Sequence, residues 1–209
     1  MIKAGSIKAV LFDYGGVVLS SPFEAFSRYE TAEGLPDGFI RALNATNPDT
    51  NAWARLERND VDFEQFCALF EAEAANAGHP IDARQVIQRL SSDHRPAMVE
   101  AVRRCKERLK TALLTNNFST TGLGRNSHDV LRLFDVIVES SKVGVRKPDP
   151  RFYEMACDQL GITPDEAVFL DDLGVNLKPA RAMGMTTIKV DDPDAAIAAL
   201  ETVVGFPLA

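Results

Sequence analysis

The chain has 209 residues, 45% of them hydrophobic and 25% charged, with a formal net charge of −7 at pH 7. A chain of this size buries a full core and fits one catalytic unit with a modest insertion, and the composition excludes a disordered chain. The acidic balance leaves no basic stripe to displace counterions from nucleic acid, and no apolar run reaches the roughly 20 residues that cross a bilayer.

The N-terminus lacks a secretory signal pattern, so a cytoplasmic location is expected, with neither nucleic acid nor membrane as partner. Cys67, Cys105 and Cys157 show no CxxC spacing and fall in helix-like segments, which predicts buried thiols instead of disulfides or metal ligands.

The first element in chain order is a strand over residues 7–12, ending at Asp13 and followed by Tyr14, Gly15, Gly16 and Val17. Residues 20–96 contain no convincing strand. Helical spacing near 23–33, 37–44, 50–58, 63–75 and 83–90 is broken by Gly34, Pro36, Pro48, Gly78 and Pro80. This predicts a small helical cap inserted into a core made of residues 1–19 and 97–209. Trp53 and the stripe Phe63, Phe66 and Phe70 read as packing within that cap. His79, His94 and His128 share no metal-ligand spacing and are expected on the surface or in loops.

Beyond residue 97, short apolar strands at 111–114, 136–138, 167–170 and 186–190 alternate with helices. The helices are expected at 98–109, 126–133, 150–160, 177–183 and 193–203. Such alternation predicts a doubly wound α/β fold with a parallel sheet and right-handed crossovers.

Open parallel sheets bind ligands outside the carboxyl ends of their strands. Four such ends here carry Asp13, then Thr115 and Asn116, then Lys147, then Asp171 and Asp172. Together these groups suit phosphoryl transfer, which needs an in-line nucleophile and fixed hydrogen-bonding or positive groups around the phosphoryl oxygens. Asp13 is the candidate nucleophile. Asp13, Asp172 and the Gly15 carbonyl, with Asp171 nearby, are candidate ligands for Mg²⁺. Thr115, the Asn116 amide and Lys147 are candidates for binding phosphoryl oxygens, and Gly15 and Gly16 allow close backbone approach. Each residue alone also has a structural reading: Asp171 and Asp172 as helix caps, Thr115 as a strand end, Lys147 as a surface lysine. Asn176 divides between contacting the ligand and bonding the start of a helix.

The stretches Leu11-Phe12-Asp13-Tyr14-Gly15-Gly16-Val17, Leu114-Thr115-Asn116, Lys147-Pro148 and Phe169-Leu170-Asp171-Asp172 resemble, in order, the motifs of the haloacid dehalogenase-like hydrolase superfamily. Around Lys147 and Asp172 the chain looks like the N-terminal phosphatase domain of soluble epoxide hydrolase and its bacterial relatives. The resemblance implies a Rossmann-like core with an inserted cap, Mg²⁺, an aspartyl-phosphate intermediate and a small phosphorylated metabolite as substrate.

One position departs from the pattern. Superfamily phosphatases usually carry a second aspartate where Gly15 stands, to protonate the leaving oxygen and later activate water, work worth typically 10²–10⁴-fold in rate. Three substitutes are open: a leaving group that needs little protonation, water activated by the metal or Asp171, or an acid from the cap. Gly15 also fits a 2-haloacid dehalogenase, because halide departs without a proton. The paired aspartates and the absence of the tyrosine usual there in dehalogenases speak against it. A catalytically weak phosphate-binding module is the remaining alternative.

Overall fold

A computed structural model describes residues 7–90, 93–117 and 125–208. Residues 1–6 of the expected first core segment and 91–92 of the expected cap lie outside the described residues. Five parallel strands, β1 (Ala9–Phe12), β2 (Lys110–Thr115), β3 (Val136–Glu139), β4 (Ala167–Asp171) and β5 (Thr186–Lys189), form one sheet in the order β3-β2-β1-β4-β5. This is the doubly wound α/β fold expected from the alternating elements.

Every residue of β1 is buried because both faces of the sheet are covered. Val10 and Phe12 face Met98 and Val102 of α6 (Pro96–Lys106) and Ile197 and Leu200 of α11 (Pro193–Val204). Ala9 and Leu11 face Phe152 and Ala156 of α9 (Pro150–Leu160) and Leu177 and Ala180 of α10 (Gly174–Ala182). Full burial of one such large side chain contributes roughly 1.5–3 kcal/mol, so these two layers supply much of the stability of the sheet.

Register places the site. Phe12 pairs with Leu113 on one side and Leu170 on the other, and the Asp13 N–H donates to the Leu170 carbonyl at 2.9 Å. The carboxyl ends of the three central strands therefore open onto one edge.

Among the described residues, the segment between β1 and α6 holds helices α1 (Pro22–Glu33), α2 (Phe39–Ala45), α3 (Ala52–Glu57), α4 (Phe63–Asn76) and α5 (Ala83–Gln88). The side chains of Ser21, Asn51, Asp62 and Asp82 cap four of them, each accepting a free amide of the first turn. Gly34, at φ 67°, ends α1 in the left-handed conformation that glycine adopts without steric cost. Their apolar faces share a third cluster around Trp53, whose ring centroid lies 5.5 Å from Phe26 and 5.6 Å from both Phe66 and Phe70. Phe63 departs from the expected stripe: it is 36% exposed, with the Arg84 guanidinium over its ring.

Three local features depart from the sequence expectation. A wide π-type turn, Tyr14–Val18, follows Asp13; the short helix α8 (Ser140–Val143) precedes the Lys147 loop; and α10 begins at Gly174, ahead of the expected 177. Each begins within three residues of a strand end: the Tyr14 N–H donates to Asp13 Oδ1 at 2.7 Å, Glu139 of β3 leads directly into α8, and β4 ends at Asp171 ahead of α10. Between β2 and β3 the described residues hold the helix α7 (Arg125–Leu131). All three cysteines are buried and free, as expected. No described helix is long and apolar enough to cross a membrane.

Candidate active site

Lys147 is the centre of the assembly. Its side chain is 1% exposed, and its Nζ lies 2.8 Å from Asp13 Oδ1 and 2.7 Å from Asp171 Oδ2. Its backbone is fixed by Asn116: the Lys147 N–H donates to Asn116 Oδ1 at 2.9 Å, and Asn116 Nδ2 donates to the Lys147 carbonyl at 3.0 Å. Asn116, expected to bind substrate, is found here tying the end of β2 to the Lys147 loop.

Asp171 is fully buried and saturated. Its Oδ1 accepts the Leu173 N–H at 2.8 Å, and Asn176 Nδ2 lies 3.0 Å from both of its oxygens. Asn176 is itself buried, and its carbonyl accepts the Tyr153 hydroxyl at 2.7 Å. Its amide therefore faces Asp171, the bonding role open to it at the start of a helix. Asp171 thus also holds the amide of Leu173, the residue immediately before α10.

The carboxylate oxygens of Asp13, Asp171 and Asp172 lie within 4.8 Å of one another. Burial pushes the Asp13 carboxyl up to about 8; Lys147 opposes the shift, and Asp171 and Asp172 add to it. Burial, then Asp171, raises Asp172 to about 6, with Lys147 and Arg41 of α2 pulling the other way. Burial would lower the Lys147 ammonium, but attraction to Asp13 and Asp171 outweighs it and its pKa is raised. Three carboxylates around one ammonium leave negative charge uncompensated, and hard oxygen donors in that excess suit a divalent cation such as Mg²⁺.

The two glycines after Asp13 differ. Gly16 has φ 81°, and a Cβ there would overlap the Asp172 carboxylate, so no side chain fits. Gly15 has φ −70° and ψ 128°, open to any residue, and a Cβ there would meet only Pro22 Cδ at 3.6 Å and Cγ at 4.0 Å. Its lack of a side chain is not imposed by backbone or space.

Beside these groups lies a cavity of about 370 Å³, whose wall includes Gly15, Thr115, Asn116, Trp53, Glu57 and His128. Thr115, at the end of β2, is 5% exposed. Sequence reading did not place Trp53, Glu57 or His128 here, because nothing local to α3 or α7 indicates which side faces the sheet edge. His94 also has a specific partner, its Nε2 lying 3.1 Å from the Tyr14 hydroxyl. Arg146, next to Lys147, was missed too: its Nε stands 2.7 Å from Glu57 Oε2, and its Nη1 donates to the Pro48 carbonyl at 2.7 Å.

The sequence profile of haloacid dehalogenase-like hydrolases matches residues 7–184. The chain belongs to the haloacid dehalogenase-like hydrolase family. It is 37% identical to acyl-CoA dehydrogenase family member 10 of Mus musculus, over 97% of this chain and 20% of that protein. It is 31% identical to bifunctional epoxide hydrolase 2 of Sus scrofa, over 97% of this chain and 40% of that protein. The chain thus spans less than half the length of these two relatives. It is 38% identical to phosphatase MT3486 of Mycobacterium tuberculosis (strain CDC 1551 / Oshkosh), over 89% of this chain and 88% of the relative. The fold matches that of a HAD family enzyme from Bacteroides thetaiotaomicron, solved in complex with magnesium and inorganic phosphate. The TM-score is 0.61 at 19% identity, over 88% of this chain and 93% of that one.

Proposed function

We propose that this haloacid dehalogenase-like hydrolase is a Mg²⁺-dependent phosphatase that acts on small phosphate esters through an aspartyl phosphate on Asp13. The observation that carries this reading is Lys147 Nζ held between Asp13 and Asp171, with the Asp172 carboxylate beside them at the carboxyl edge of the sheet. The similarity to a mycobacterial phosphatase over most of both chains, and to a fold solved with magnesium and phosphate, supports it.

We assign the ion to Asp13, Asp172 and the Gly15 carbonyl. Asp171, also expected among the ligands, has both oxygens in hydrogen bonds and is assigned to holding Lys147. When bound, Mg²⁺ supplies charge that offsets repulsion between the phosphate and Asp13. Asp13 Oδ attacks phosphorus, and Lys147 neutralises charge as it moves onto the phosphoryl oxygens. The Thr115 hydroxyl and Asn116 amide donate to those oxygens, and Gly16 lets the backbone approach them. Asn176 acts from behind by orienting Asp171. Helices α1–α5 form the cap that selects the substrate, with residues 1–19 and 97–209 as the core.

The test is phosphate release from esters with good and poor leaving groups, with Mg²⁺ or EDTA, for wild type and Asp13→Asn. Metal-dependent release that the variant lacks is expected. No release even from aryl phosphates would overturn the reading. Gly15 favours one competitor, the 2-haloacid dehalogenase, and chloride release from 2-chloropropionate without metal would put that reading first. Stabilisation by Mg²⁺ and phosphate without turnover of any ester would leave the phosphate-binding module.

A further inference from the structure

We propose that Glu57 of α3 is the general acid and base of this site, carrying out the proton transfers for which Gly15 leaves no carboxylate. This rests on the phosphatase reading above and extends it to the missing proton donor.

Glu57 lines the same cavity as Gly15, Thr115 and Asn116, yet it comes from the inserted helices. Its side chain is buried, and it is the carboxyl of α1–α5 in that cavity wall among the described residues. Two groups hold it: Trp53 Nε1 donates to Oε1 at 3.1 Å, and Arg146 Nε stands 2.7 Å from Oε2. The Arg146 contact has ion-pair distance without hydrogen-bond alignment, so Oε2 is left buried with no hydrogen bond. Burial raises the proton affinity of Glu57, against the opposing pull of Arg146, Trp53 and the Lys147 charge.

The other acids near the cavity are committed elsewhere. Asp171 is saturated behind Lys147, and Asp172 lies against Gly16. Glu139 is tied to Lys142 and to Asn117 Nδ2. His128 is exposed, open to exchange with bulk water.

The steps balance. As the Asp13 Oδ–P bond forms and the ester P–O bond breaks, the departing oxygen takes the Glu57 proton and leaves as the alcohol. Trp53 and Arg146 stabilise the carboxylate that forms. Water then attacks phosphorus and gives its proton to Glu57, while the P–Oδ bond breaks to release phosphate and the Asp13 carboxylate. Arg146 sits next to Lys147 and also bonds the Pro48 carbonyl, so the proton donor and the partner of the nucleophile are held by one loop.

The test compares wild type, Glu57→Gln, Gly15→Asp and the double variant on aryl and alkyl phosphates with Mg²⁺. Glu57→Gln is expected to keep a burst of phenol from aryl phosphates of good leaving groups. It should lose steady turnover, and alkyl-phosphate hydrolysis should fall by about 10²–10⁴-fold. Adding Gly15→Asp, at a position whose backbone and surroundings accept a side chain, should restore turnover in the double variant. Equal loss of burst and turnover on every ester, or no recovery with Gly15→Asp, would overturn the proposal and leave Glu57 a positioning residue. Should Glu57→Gln not fold, the wild type decides: a shallow dependence of rate on leaving-group pKa supports an acid at work, and a steep one overturns it. A wild type inactive on all esters would instead remove the phosphatase reading on which the proposal stands.

Discussion

Asp172 lies against Gly16, in the space that any Cβ on Gly16 would fill. Gly16→Ala therefore carries two penalties: a left-handed backbone at about 1–2 kcal/mol and a displaced Asp172 carboxylate. The melting temperature is expected to fall, at about 2–4 °C per kcal/mol, and Mg²⁺ affinity to fall about tenfold or more. Thermal melts and Mg²⁺ titration check both, and an unchanged affinity would contradict the close approach.

Neighbouring aspartates are expected to respond in opposite ways. Asp171→Asn deprives buried Lys147 of one of its two carboxylates and disturbs the Asn176 bonds, a loss of about 3–5 kcal/mol for a broken buried pair. Asp172→Asn removes a repulsive charge from the cluster. In EDTA it should melt at or above the wild-type temperature, and it should gain nothing from Mg²⁺. Melts of both variants with and without metal separate the roles; equal destabilisation by the two would refute them.

Stability without metal should fall as pH rises through the neutral range. Folding raises Asp172 to about 6 and Asp13 to about 8 from an ordinary 3.8, so the folded chain binds these protons more tightly than the unfolded one. Their contribution is complete below pH 3.8 and is lost as pH climbs through those raised values. Mg²⁺ competes with the same protons, so the difference between melts in Mg²⁺ and in EDTA should widen from acid to alkaline pH. A constant difference would show that these carboxylates do not hold the ion.

Bridging α1 and α2, buried Glu30 accepts the Gly38 N–H at 2.9 Å and the Ile40 N–H at 2.7 Å, at the entry to α2. Glu30→Ala leaves both amides unsatisfied and should cost about 1.5–3 kcal/mol. Faster hydrogen exchange at Gly38 and Ile40, with β1 amides unchanged, is the expected signature, and unchanged exchange would contradict it.

Much of the core was legible from the sequence. Strand runs of period-independent apolar residues, separated by helix-length segments, allow few arrangements once parallel strands demand right-handed crossovers. Asp13, Thr115, Lys147 and Asp171-Asp172 were legible as site candidates for the same reason, since a parallel sheet brings every strand's carboxyl end to one edge. Their division of labour was not. Asp171 and Asp172 are adjacent and chemically identical, and only the positions of Lys147, Asn176 and Gly16 show that one is saturated and the other packs against Gly16 beside Asp13.

The sequence by itself determined the doubly wound fold, the helical character of the described segment between β1 and α6 and the residue types at the sheet edge, because hydrophobic period and strand-end position are local properties. Tertiary structure alone decided that Glu57 and Trp53 enter the cavity and that Arg146 reaches across to Glu57 and Pro48. Which face of a short helix meets a distant loop depends on how two separately packed apolar clusters come to rest against each other, and no spacing within either segment encodes it.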